Sequence, residues 1–165
     1  MSEFTHLDET GQARMVDVTE KTPTVRSATA TGLVRCAPHV VAALREGTVP
    51  KGDVLAVARI AGIAGAKRTP ELLPLAHVIG VHGVVLDAEV TDEGVVLRAT
   101  ARTADRTGVE MEALTAVSVA ALNVVDMVKG LDKSTAIESV QLEAKTGGKS
   151  GDWHRPTQHP TTPHR

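Results

Sequence analysis

At 165 residues and 42% hydrophobic content, the chain suits one domain that buries its own core, without room for a second full domain. Its formal net charge of −2 excludes a general nucleic-acid binder, which would carry a basic excess and aromatic stacking residues. With one Trp, one Phe and no Tyr, the core falls to Val, Leu, Ile and Ala. The single Cys36 forms no internal disulfide, no basic-then-apolar leader opens the chain, and no apolar run approaches the roughly 18 uncharged residues of a bilayer span. A cytoplasmic protein with no membrane partner is expected.

Residues 1–21 are polar with little periodicity and are expected to form a weakly ordered arm, which includes Lys21. Residues 22–151 form the single folded domain, and residues 152–165, rich in Pro, Thr and His, a disordered tail. Within the domain, Val25 to Arg35 alternates as a strand, and Pro38 to Glu46, stopped by Gly47, gives a short helix. Asp53 to Lys67 is a second helix capped by Asp53, with Ala58/Gly62 and Ala61/Gly65 placing small residues four apart for another backbone to approach. Thr69-Pro70-Glu71 has the form of a cap followed by Pro at the first position of one more turn.

Gly83 to Val90 and Gly94 to Arg102 flank Thr91-Asp92-Glu93 and predict a hairpin. Glu110 to Lys129 is the longest helix, opened by Thr107-x-x-Glu110 in the pattern of a capping box, and Ile137 to Ala144 is a last strand. Strand, helices, two strands, helix, strand is the order of a ferredoxin-like βαββαβ α+β fold, an antiparallel sheet covered by helices on one face.

In the long helix, steps of about 100° set Glu112, Ala116, Val119, Asn123 and Asp126 on one narrow stripe, with Lys129 three residues beyond Asp126. A solvated face ending in an ion pair is the ordinary explanation, but the stripe is small or apolar between its charges. Glu110 is accounted for by capping, Met111 by core packing and Lys51 by a solvated loop, although a lysine at a helix entrance also suits phosphate. His77 follows Leu75-Ala76 in a loop; with His82 it makes no zinc site, because no third ligand follows at a recognisable spacing. Neither metal nor cofactor is assigned. Lys145 to Gly151 lacks the first Gly of a P-loop, where Glu143 stands, and no helix follows it. It is a flexible basic loop.

Seven segments, in order, resemble the cyclic pyranopterin monophosphate synthases of molybdenum cofactor biosynthesis. They are Met15-Val16-Asp17-Val18, Lys51-Gly52-Asp53, residues 58–63, Ala66-Lys67-Arg68-Thr69, residues 107–116, Asp126-Met127 and residues 145–151. The resemblance implies a homohexamer built from dimers, with active sites at subunit interfaces. The implied substrate is the 3′,8-cyclised dihydro form of guanosine triphosphate; the products are cyclic pyranopterin monophosphate and pyrophosphate. Carried over residue by residue, it makes Asp126 the catalytic carboxylate and Lys51 and Lys129 the reactive lysines, which could shuttle protons if neighbouring cations lowered their pKa values, with Asp126 orienting or deprotonating one of them. It makes Leu75, Ala76, His77, Met111 and Glu112 substrate contacts, with Arg26, Lys67, Glu110, Lys145 and Lys149 at further pocket positions. The chain departs from the family at Ala76 and Val78, where Cys and Pro are usual, and at Asn123, Val125 and Val128, where Thr, Tyr and Cys are usual. A non-catalytic pterin- or nucleotide-binding relative of the same fold is the alternative reading.

Overall fold

Alternation of small and polar residues makes β1 (Thr24–Arg35) a strand that can be covered on one side, and Ala28, Ala30 and Val34 along it are buried. A computed structural model describes residues 7–157 of the chain. In chain order β1 is followed by α1 (Pro38–Glu46), α2 (Val54–Lys67), α3 (Thr69–Leu72), β2 (Gly83–Thr91) and β3 (Gly94–Asp105). Next come α4 (Glu110–Val128), β4 (Ala136–Thr146) and β5 (Trp153–His154).

The sheet order is β2-β3-β1-β4-β5, antiparallel at every pairing. Its first four strands have the ferredoxin-like arrangement that the sequence predicts. The hairpin pairs Thr91 with Gly94, so the turn is Asp92-Glu93. The fifth strand comes from a segment whose composition suggested only a tail: Trp153 pairs with Lys145 and His154 with Ala144. The remaining expectation of weak order, for residues 1–6 and 158–165, lies outside the described residues.

Leu97, Ala99 and Ala101 of β3 join the buried face of β1 beneath α4, whose Ala113, Ala116, Val117, Ala120, Ala121 and Val124 are fully buried. The helix has the length and hydropathy of a bilayer span, but α2 and the sheet cover its apolar side. A side chain on Gly62 would bring its Cβ to 2.7 Å from the Ala116 carbonyl oxygen, and one on Gly65 to 2.8 Å from a Val119 methyl. The small faces of α2 are therefore used within the subunit, against α4. They do not argue for a contact between subunits.

Two helix starts differ from the sequence pattern. Val109, not Thr107, is the N-cap of α4, and no side chain caps it. The capping box does not form. Thr69 is likewise no cap for α3: it is buried, and its hydroxyl donates to the Ala66 carbonyl at 2.9 Å. Asp53 does cap α2, accepting the Ala56 N–H at 3.0 Å.

Candidate active site

Two groups of polar side chains form at opposite ends of α4. At its C-terminal end, the Asp126 carboxylate accepts from Lys51 Nζ at 3.0 Å through one oxygen and from Lys129 Nζ at 2.5 Å through the other. Lys129 is the C-cap residue, three positions on, and Lys51 comes from the turn that enters α2. Lys51 also donates to the Asp126 carbonyl at 3.1 Å, one of the carbonyls a helix end leaves without an intrahelical partner. Hydrogen bonds from Lys129 and then Lys51 hold the Asp126 carboxyl below its ordinary pKa. Instead of cations crowding one another, two ammonium groups share one ionised carboxylate. All three side chains are about half exposed, so the ammonium donors can reach a bound molecule.

At the N-terminal end of α4, a cavity of about 570 Å³ is lined by Val16, Lys21, Leu75, His77, Met111 and Glu112 among others. Ala76, Thr107, Gly108 and Glu110 complete much of its wall. Glu112 is 3% exposed, and burial raises its carboxyl to about 6, with the Glu110 charge adding to the rise. A carboxyl with that pKa can either give or take a proton near neutrality. His77 is fixed by its Nε2, 2.6 Å from the Val16 carbonyl oxygen. The loop carrying it is tied again where the Gly80 N–H donates to Asp105 Oδ2 at 3.2 Å. Val78, in the place of the expected Pro, is 87% exposed, so the exchange disturbs no packing.

A second cavity, of about 840 Å³, adjoins the first and is lined by Lys21, Thr24, Arg26, Gly148, Lys149 and Ser150. Arg26 is held by the Asp105 and Arg106 carbonyls, which accept from its Nε at 3.2 Å and its Nη2 at 3.3 Å. Gly147 and Gly148 both have positive φ, 84° and 79°, which lets the loop lie directly on Arg26. Lys145 ties that loop to α4: its Nζ lies 3.7 Å from Glu110 Oε1 and 2.5 Å from Ser150 Oγ.

The structure thus gathers Leu75, Ala76, His77, Met111, Glu112 and Glu110 at one cavity, with Lys145 beside them and Arg26 and Lys149 next door. Lys67 lies exposed on the last turn of α2 and lines neither cavity. Lys51, Asp126 and Lys129 form their own group: fourteen residues of α4 separate Glu112 from Asp126, about 21 Å at about 1.5 Å per residue. Sequence reasoning missed Val16 and Lys21, assigned to a weakly ordered arm. The Met15-Val16-Asp17-Val18 segment was the only signal for Val16, and nothing signalled Lys21. Among the described residues no three His, Cys, Asp or Glu side chains are grouped to hold a metal.

Comparison with known proteins gives this arrangement a context. The profile of the MoaC family matches residues 15–148. A protein of Streptomyces coelicolor named cyclic pyranopterin monophosphate synthase is 65% identical over 152 residues, 92% of this chain and 89% of that one. Proteins of the same name from a Nocardioides species and from Thermomicrobium roseum are 60% identical over 156 residues and 54% over 157. The Nocardioides match covers 93% of this chain and 96% of its relative; the Thermomicrobium match covers 94% and 95%. Matched over both groups of polar residues and nearly the whole described fold, the chain belongs to the MoaC family.

Proposed function

We propose that this protein is a lyase that converts (8S)-3′,8-cyclo-7,8-dihydroguanosine 5′-triphosphate to cyclic pyranopterin monophosphate and pyrophosphate, an early step of molybdenum cofactor biosynthesis. The observation that carries the reading is the Asp126 carboxylate held between the Lys51 and Lys129 ammonium groups, in a chain 65% identical to a protein of that name. The cyclic phosphate closes when a substrate hydroxyl oxygen bonds to the α-phosphorus and the bond from that phosphorus to the bridging oxygen of pyrophosphate breaks. The hydroxyl proton must leave, and charge grows on the departing pyrophosphate. The ionised Asp126 carboxylate, hydrogen-bonded to both lysines, takes up that proton, Lys51 and Lys129 supply protons and positive charge to the departing pyrophosphate, and Glu112 and His77 serve the rebuilt ring. Arg26, Lys145 and Lys149 neutralise the triphosphate, and Lys67 approaches from the end of α2.

The working unit in this reading is a homohexamer, a trimer of dimers, with each site shared between subunits. The 21 Å or so along α4 between Glu112 and Asp126 supports sharing, because one nucleotide does not readily span both groups within one subunit. The proposed location is the cytoplasm, where buried Cys36, its thiol pKa pushed up by burial, stays reduced.

The test is turnover of the cyclised nucleotide by purified protein, followed by pyrophosphate release, with light scattering for the assembly. Mixing Asp126→Asn with Glu112→Ala protein, under conditions where subunits exchange, should restore activity that neither has alone if the site is shared. Binding of the nucleotide without pyrophosphate release would make the chain a binding protein of the same fold.

A further inference from the structure

Lys21 is the one cation that lines both cavities, the one at His77 and Glu112 and the one at Arg26 and Lys149. Its backbone is fixed on both sides: its N–H donates to the Val18 carbonyl at 3.0 Å, and its carbonyl accepts from Arg106 Nε at 3.0 Å. Five residues earlier the same strap is anchored by the Val16 carbonyl at the His77 ring. The arm therefore has a set path from His77 to Arg106. The Lys21 ammonium has no carboxylate within ion-pair distance among the described residues, whereas Lys51, Lys129 and Lys145 each have one. A cation with a fixed backbone and no acid partner among the described residues, in the lining of two cavities, is placed to meet an anion that occupies both. The second cavity already presents Arg26 and Lys149, and its glycine-rich loop keeps side chains out of the way.

We propose that Lys21 is a substrate-binding residue that clamps the polyphosphate where it leaves the His77 cavity and enters the Arg26 cavity. This rests on the reading of the substrate as a nucleoside triphosphate derivative. The clamp acts on the unreacted chain and on the departing pyrophosphate alike. It therefore sets affinity more than the rate of bond making.

Titration of inorganic pyrophosphate into the full chain by calorimetry tests the site without turnover. Wild type and Arg14→Ala should bind equally, Lys21→Ala about tenfold more weakly, and Lys21→Arg close to wild type. With the cyclised nucleotide, Lys21→Ala should raise KM about tenfold while kcat changes much less, a split that general loss of structure does not produce. Equal pyrophosphate binding by wild type and Lys21→Ala, no binding by wild type, or an equal loss in Arg14→Ala overturns the proposal. If the pyrophosphate pattern holds but the nucleotide is not turned over, the anion clamp stands and the proposed activity falls.

Discussion

His77 Nε2 lies 2.6 Å from the carbonyl oxygen of Val16, and a carbonyl oxygen can only accept, so that ring nitrogen carries the proton. In the neutral ring Nδ1 is then the bare nitrogen, and the N-terminal strap has chosen the tautomer. Imidazole ¹⁵N shifts of the full chain should show a proton on Nε2. His77→Gln, whose amide N–H reaches the Nε2 position, should keep the strap in place. His77→Ala should lose about 1 kcal/mol, a fall in Tm of about 2–4 °C. A ring with mixed tautomers, or equal melting of the two variants, would remove the strap's role.

Asp126→Asn preserves size and removes the charge that holds two ammonium groups. Assembly and melting should change little, because the carboxylate is half exposed. Turnover should fall by about 10² to 10⁴, with nucleotide binding affected much less. Separate measurements of pyrophosphate release and of binding decide the point: wild-type turnover in the folded variant removes Asp126 from the chemistry.

Glu112 contributes to stability with the opposite sign from a salt-bridged acid. Its folded pKa, about 6, lies above the ordinary 4.5, so the folded state binds the proton more tightly than the unfolded chain does. Stability therefore falls as pH rises between those values, by about 2 kcal/mol at about 1.4 kcal/mol per unit, and stays lower above them. Glu112→Gln has no charge to bury. It should melt a few degrees higher than wild type at pH 7 and equally at pH 4, while losing activity. Identical stability differences at both pH values would show that the carboxylate is not strained by burial.

Gly62→Ala tests the contact between α2 and α4. Alanine favours the helix by about 1 kcal/mol, but its Cβ would meet the Ala116 carbonyl oxygen at 2.7 Å, so one helix must move. Net destabilisation of about 1–2 kcal/mol is expected in thermal melts. Because Lys51 sits in the turn that enters α2, turnover should fall as well. A variant more stable than wild type would mean the helices are not in close contact there.

What the sequence made legible was angular and local. The period of α4 set Glu112 and Asp126 on one stripe, and Lys129 three residues on was close enough to pair with Asp126, as it does. Periodicity gives an angle around a helix but little sense of distance along it, so the two carboxylates looked like neighbours although they end different clusters. Thr107-x-x-Glu110 had capping-box spacing, yet the helix starts at Glu110 itself, whose carboxylate turns toward Lys145 on a distant strand. Val16 at His77, Lys51 at Asp126 and Trp153 at Lys145 are pairings across 61, 75 and 8 residues, which no local pattern encodes. Lys51 was signalled by its place at a helix entrance and by the family resemblance, whereas neither the resemblance nor the periodicity pointed to Lys21.

The fifth strand has an optical consequence. Trp153, the only tryptophan in a chain with no tyrosine, pairs with Lys145 at the edge of the basic loop. Trp153 is 38% exposed, and its ring centroid lies 5.9 Å from the Arg155 guanidinium above it. The backbone that carries this fluorophore pairs directly with the strand whose lysine holds Ser150 and faces Glu110. Unlabelled protein therefore emits from one place, beside the loop an anion would order. Stopped-flow emission can follow that ordering in real time, with no dye near the site.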